Sequence, residues 1–405
     1  MEQQKRDNPH VLGLTGSFGS GCSYIAREIL QKTMGFEVFS LSEELKLLYK
    51  AETQENPETA PRKALQDFGD RIRQERGPDY LASQVIGKIN TRIEAGAKPD
   101  GWAVDSIRNP AEIRAFRDYS RNFFLLGVYA DEEERWVRVG RIKYDDNHKQ
   151  FKYDDNRDKG EYSEEWGQRV GDCFCEADIV IKNSDKIITP GNEGFQKLQN
   201  RVRHYVQHAM QPLSKKSPMR EEESLMTMAY AASQRSSCRK RKVGAVIVDS
   251  KGNVISSGFN EVPESERPCT EIYNGCYRSH CRDELVKSLE SQGLVAAGKG
   301  DALKEELRRR FKMLDVCRAL HAEENAIVNL ARNGRSVPLG ECTLYTTTYP
   351  CRLCANKIVN LGIRRVVYLE PYPDEEAKAI LGSINAEFFE GVTFKAYFKI
   401  YGDQK

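Results

Sequence analysis

The sequence predicts an α/β protein of two domains, and three features lead to that expectation. Residues 1–210 alternate short apolar runs with helical stretches. A polar, proline-containing linker at 211–222, within "QPLSKKSPMREEE", breaks that rhythm. Residues 223–405 then resume in a different order: helix, strand pair, a long polar section to about 316, then helix, strand, helix, strand. In the first domain "HVLGLTG" runs into "CSYIAREILQKTM", "GWAVDSI" into "PAEIRAFRDY", and "FFLLGVYA" into "EEERWVRVGRI". Strands alternating with helices in this way predict a parallel sheet with flanking crossover helices. In the second domain "SLMTMAYAASQR" reads as the opening helix and "VGAVIVDSKGNVISSGFN" as a strand pair. No internal repeat or low-complexity tract interrupts either part.

Bulk properties set the context. A chain of 405 residues, 39% apolar and 30% charged, is long enough for two cores and ordinary for a soluble protein. The net charge of +2 gives no overall surface for polyanions, so nucleic acid is not implied as a partner. "MEQQKRDNPH" carries no apolar signal core, and no unbroken run of roughly eighteen apolar residues exists for a membrane span. The expected location is therefore cytoplasmic, with no membrane partner. Eleven cysteines in such a chain point to thiols or thiolate ligands instead of a disulfide framework.

The first domain opens with an apolar strand that runs into Gly16-Ser17-Phe18-Gly19-Ser20-Gly21-Cys22-Ser23 and then a helix. Glycines at such a turn let backbone N–H groups close around phosphate at a helix N-terminus, and the Ser23 hydroxyl can hold Mg²⁺. Asp105 ends the strand in "WAVDSI", where a second metal-binding carboxylate would stand. The lysine that reaches the outer phosphates in such loops is replaced by Cys22, removing a main electrostatic stabiliser of phosphoryl transfer. Binding of ATP, GTP or another nucleotide with Mg²⁺ is expected, and catalysis is not. The plainer alternative is a tight turn after a strand. With "RKALQDFGDRIRQERGPDYLA" and "EEERWVRVGRI", residues 10 to 200 resemble dephospho-coenzyme A kinases and deoxynucleoside monophosphate kinases. The resemblance implies a P-loop kinase-like fold for residues 1–210.

The second domain carries "LHAEENAIVNL" and "TYPCRLCANKI". Cys351 and Cys354 lie three apart at the start of a predicted helix, so their sulfurs share a face, and the helix N-terminus favours thiolate. His321 adds a third ligand. Three protein ligands leave one tetrahedral position for water, the arrangement of a catalytic zinc, whereas structural zinc closes its shell with four. Glu323, two residues after the histidine, is within reach to take a proton from water and return it to the substrate. A stray zinc-knuckle-like pair beside an unrelated histidine is the alternative. The H-x-E plus P-C-x-x-C pattern resembles that of the zinc nucleobase deaminases, which implies hydrolysis of the C4 amine of cytosine to give uracil and ammonia.

"AYAASQRSSCRKRKVGAVIVD", "SSGFNEVP", "CRALHAEENAIVNLARNG", "LYTTTYPCRLCANKIVNLGIRRVVYLEPY" and "FFEGVTF" follow one another as in deoxycytidylate deaminases, a resemblance that spans about 222 to 400. It implies a cytidine deaminase-like three-layer α/β/α domain over 223–405. By position it also implies Asn260 at the sugar, Ala322 beneath the ring and Tyr372 near the base; core packing is the alternative for Tyr372. Glu261 stands where the family has glycine. Lys242, in the basic run Arg239 to Lys242, is a candidate for the nucleotide phosphate, against a solvated charge run. Cys269, Cys276 and Cys281, with Cys238, are candidates for a second, structural zinc; the alternatives are free thiols, or a loop whose Arg278 and Arg282 meet substrate phosphates. Arg308 to Arg310 form a further basic segment that could bind RNA or line a subunit interface. Taken together, the two halves resemble the bacterial two-domain anti-phage deoxycytidylate deaminases. That resemblance implies dCTP, and in some members dCMP, as substrate, dCTP depletion in defence, a homo-oligomer and an inhibitory small RNA. A housekeeping dCMP deaminase and a polynucleotide cytosine deaminase are the alternatives; the near-neutral charge gives the latter no support.

Overall fold

The computed structural model describes residues 8–159, 167–184, 191–212, 215–296, 298–310, 314, 316–334, 337–371 and 375–402. Contacts divide the chain into one unit of residues 1–219 with 390–405 and a second of residues 220–389. The division after Met219 falls inside the 211–222 stretch. Residues 390–405, expected in the second domain, belong instead to the first. The reason is a strand that the sequence reading did not separate from its neighbours.

In chain order the strands are β1 (Val11–Thr15), β2 (Phe36–Ser40), β3 (Gly101–Asp105), β4 (Phe123–Tyr129), β5 (Ile179–Lys182), β6 (Gly244–Val248), β7 (Val254–Phe259), β8 (Thr343–Thr348), β9 (Arg365–Glu370), β10 (Asn385–Phe388) and β11 (Gly391–Val392). The first sheet has the order β11-β5-β4-β1-β3-β2. Its pairs are parallel except for β11, which runs antiparallel to β5 with Val392 opposite Ile179. Every residue of β1 and β3 is buried, as expected for central strands of a sheet covered on both faces. The helical stretch from Cys22 to Met34, π-helical over Ile25–Gln31, buries Ile25, Ile29 and Leu30 in a core shared with Leu12, Leu14 and helix Glu193–Met210. Val392, Ala396 and Ile400 of the tail join the same core.

The second sheet has the order β10-β9-β8-β6-β7. β6 runs antiparallel to both β7 and β8, while β8, β9 and β10 are mutually parallel neighbours. Alternate residues of β6, Ala245 and Ile247, share a core with Leu344, Val366 and the helices Ala322–Arg332 and Arg352–Leu361. Helix Glu221–Ser233 packs on the sheet at Gly244, where a Cβ would stand 1.9 Å from the Ala229 carbonyl oxygen. Among the described residues no helix is long and apolar enough to cross a membrane.

Candidate metal centre and active site

Two helix starts carry the site. Helix Ala322–Arg332 begins at its N-cap His321, and helix Arg352–Leu361 at its N-cap Cys351, with Cys354 in the first turn. Both helices rest on the second sheet. Gly258 of β7 allows the first to come close, since a Cβ there would lie 2.3 Å from the Ala322 carbonyl oxygen and 2.3 Å from the Ala326 nitrogen. Leu320, just before His321, is fastened to Glu261 by a pair of backbone hydrogen bonds of 3.0 and 3.2 Å. The Glu324 carboxylate accepts from the His321 backbone N–H at 3.3 Å and pairs with Lys357 of the second helix at 2.9 Å. The helices that supply the three ligands are thereby tied to each other as well as to the sheet.

His321 Nδ1 lies 3.2 Å from Cys351 Sγ and 3.4 Å from Cys354 Sγ. Tetrahedral zinc with ordinary Zn–N and Zn–S lengths sets its N···S edges at about 3.6 Å, so the donor set has the size for that ion. Its chemistry fits too. Hydrogen bonds to the thiols of Cys317 and Cys351 raise the His321 imidazole to about 10. A hydrogen bond from Cys354, outweighing burial and helped by His321, lowers the Cys351 thiol to about 4. A metal cation would take the place of the proton shared by these groups, since cysteine ligates as thiolate and histidine in its neutral form. Among the described residues, these three form the group whose ligand atoms all lie within 4.8 Å of one another.

Glu323 is 2% exposed, and burial raises its carboxyl above the usual range. Its Oε2 lies 3.5 Å from Cys354 Sγ, beside the ligand set and not part of it. Burial that favours its protonated form suits a group that takes up and returns a proton. Ala322, the first residue of the same helix, is fully buried.

The profile of the cytidine and deoxycytidylate deaminase zinc-binding region matches residues 219–370. Deoxycytidylate deaminase of Enterobacteria phage T2 is 33% identical over 153 residues, 37% of this chain and 79% of that protein. The chain belongs to the cytidine and deoxycytidylate deaminase family. A second member, from Mycobacterium phage D29, is 35% identical over 36% of this chain and 92% of its own length. Deoxycytidylate deaminase of Schizosaccharomyces pombe is 38% identical, and there the match spans only 36% of the relative's length. Among solved structures, the dCMP deaminase of cyanophage S-TIM5 is 23% identical over 42% of this chain and 100% of its own, with a TM-score of 0.29.

Against the deaminase family pattern, the remaining candidates fall in several places. The Asn260 amide is engaged by the backbone, accepting from Val243 N–H at 2.7 Å and donating to the Arg241 carbonyl at 2.9 Å. Lys242 is exposed at the start of β6, with Nζ 3.5 Å from the Gln234 carbonyl. Tyr372 lies outside the described residues. Cys269, Cys276, Cys281 and Cys238 do not converge on one point: Cys269 faces the Arg318 guanidinium at 3.8 Å, Cys281 hydrogen-bonds Tyr277, and Cys276 is the N-cap of helix Tyr277–Ser291. Neighbours that sequence reasoning missed are Cys317, hydrogen-bonded to His321, and the Glu324–Lys357 pair. The capping-box spacing from His321 to Glu324 was the available signal for the latter.

In the first unit, β1 leads into Gly16 and a turn closed by Ser20 N–H to the Ser17 carbonyl at 2.9 Å. Gly21, with φ +104°, allows the sharp entry into the helix. Arg135 and Arg138 donate to the carbonyls of Phe18 and Gly19 at 3.1 and 3.0 Å. Ser20 and Cys22 are buried, and burial with the nearby Asp105 pushes the Cys22 thiol up to about 12. Asp105 is buried too, which raises its carboxyl against a hydrogen bond from Ser23.

Proposed function

We propose that the chain is a zinc-dependent deaminase of deoxycytidine nucleotides. The observation that carries the reading is Glu323, a buried carboxyl beside three convergent ligand atoms with the spacing of a single metal ion. Zinc bound there would be held by His321, Cys351 and Cys354 and would lower the pKa of water. Glu323 would accept one proton from the attacking water and pass it to N3 as the C4–O bond forms, then carry the second proton, from the C4 hydroxyl, to the amine as the C4–N bond breaks and ammonia leaves. The low-exposure setting of Glu323 keeps its proton exchange with the substrate instead of bulk solvent.

The finer reading takes dCTP as substrate, with dCMP as an alternative, and dCTP depletion against phage as the outcome. Its support is the resemblance of the whole chain to the two-domain deaminases, which also suggests a homo-oligomer and an inhibitory small RNA. For the first unit the proposal is a P-loop that binds ATP or GTP with Mg²⁺ without phosphoryl transfer. Its supports are the strand–turn–helix order at Gly16 to Ser23, the placement of Asp105, and Cys22 as a neutral buried thiol where a cation would be needed. Zinc-loaded protein incubated separately with dCTP, dCMP, CTP and a cytosine-containing oligonucleotide, with Glu323→Ala as control, tests the deaminase reading. Ammonia and a uracil nucleotide from dCTP or dCMP are expected, and reaction of the oligonucleotide alone would replace the reading with polynucleotide editing.

A further inference from the structure

Glu261, the second residue after β7, carries a carboxylate that neither metal ligation nor proton transfer uses. It is half-buried, and among the described residues no cation pairs with it, although the basic run Arg239 to Lys242 lies just beyond the segment it touches. Its oxygens accept instead from the Ser237 backbone N–H at 2.7 Å, the Ser237 hydroxyl at 2.8 Å and the Val262 N–H at 2.9 Å. Hydrogen bonds to an ionised acceptor are about twice as strong as neutral ones, so three donors on one carboxylate hold it in place. The side chain is thus committed to the protein and not to solvent.

Asn260 makes the adjoining contacts. Its backbone carbonyl accepts from the buried Ser236 hydroxyl at 2.6 Å, its backbone N–H donates to the Val243 carbonyl at 3.1 Å, and its amide binds the backbone of Val243 and Arg241. Residues 236–243 therefore form a turn whose two ends meet on two consecutive residues. The start is held by the Asn260 carbonyl and the Glu261 carboxylate, the end by the Asn260 amide. On the other side, the Glu261 backbone makes the paired bonds with Leu320, next to His321, and the Phe259 carbonyl accepts from Asn325, on the helix of Glu323, at 2.7 Å. The two attachments differ in kind. The one to the helix start runs through backbone and Asn325, whereas the one to the start of the turn depends on the Glu261 side chain.

We propose that Glu261 is a positioning residue for deamination: its carboxylate clamps the 236–243 turn, and with it the Asn260 amide, against the helix start that carries His321 and Glu323. This rests on the deaminase reading, under which Asn260 meets the sugar. Removing the carboxylate releases the start of the turn and loosens the frame that fixes the amide. The backbone pairing with Leu320 survives the same change, so the metal ligands keep their places. The loss therefore falls on holding the substrate, and not on zinc or on the bond-breaking step.

The test uses the zinc-loaded full chain and two readouts. Trypsin cuts after Arg239 to Lys242 are followed by mass spectrometry, since all four residues are exposed and cleavage requires the backbone around them to open. Ammonia release from dCTP and dCMP gives kcat and KM. In Glu261→Ala, cleavage within the run is expected to be at least about tenfold faster than in wild type, with other cuts unchanged. KM is expected to rise at least about fivefold, with kcat within about twofold and zinc content unchanged. Glu261→Gln, which keeps one acceptor oxygen, should lie between. Ser237→Ala removes one donor from the other side and should give a smaller change in the same direction, adding little when combined with Glu261→Ala. It carries the test should Glu261→Ala fail to fold. Unchanged cleavage overturns the proposal, as does faster cleavage with an unchanged KM, or loss of zinc together with global melting. If wild type deaminates no nucleotide, the deaminase reading fails separately, while the cleavage rates still uphold or overturn the clamp.

Discussion

Glu323 lies beside the ligand set and outside it, which makes its replacement informative. Glu323→Gln keeps the shape and removes the proton carrier, so ammonia release is expected to fall by about 10²–10⁴-fold with zinc content, measured by elemental analysis, unchanged. Cys351→Ala removes a ligand instead. It should lose both stoichiometric zinc and activity, because two remaining ligands do not retain the ion. The four chemical residues were legible because the chemistry requires fixed spacings: His321 and Glu323 two apart at one helix start, Cys351 and Cys354 three apart at another. Cys317 and the Glu324–Lys357 tie were not, since they arise from how two helices meet on a sheet, and nothing in the local sequence states that meeting. The second cysteine cluster shows the converse. Density of Cys269, Cys276 and Cys281 along the chain is not convergence in space, because a short helix and a following long one turn their thiols to different neighbours.

At the scale of elements, the tail shows what periodicity cannot reveal. The two-residue strand β11 is too short to alternate, so its pairing with β5 had no signature, although the strands at Val11, Gly101 and Phe123 were readable from their apolar runs. Ile400 of the tail helix is fully buried in the first unit's core, and Ile400→Ala should cost about 2–5 kcal/mol in denaturant unfolding of that unit. The tail is also held by charge: Lys395 pairs with Glu176 at 2.7 Å and Arg117 with the same carboxylate at 2.8 Å. Burial would raise Glu176, but Lys395 and Arg117 outweigh it and leave the carboxyl below its usual 4.5. A depressed folded pKa gives stability that is present above 4.5 and lost as pH falls through the lower folded value. Lys395→Met should therefore lose less stability than wild type in unfolding experiments taken from about pH 5 to about pH 3.

For the whole molecule, each unit has its own sheet and its own core, and the three candidate ligands and Glu323 all lie within residues 220–389. A fragment of those residues is expected to fold cooperatively and bind one zinc per chain, checked by circular dichroism and elemental analysis; a fragment that stays unfolded with zinc present would show that the sheet depends on the rest of the chain. The first unit, by contrast, is assembled from two stretches of sequence separated by the entire second unit. During synthesis on the ribosome, β11 emerges only after residues 220–389 have been made. Until then β5 presents an open edge, and Val180 and Ile179 await a partner. A message cut short anywhere inside the deaminase unit would thus release not a finished N-terminal half but one with an unsealed sheet. Nascent chains stalled in that interval should be the ones that proteases and chaperones recognise.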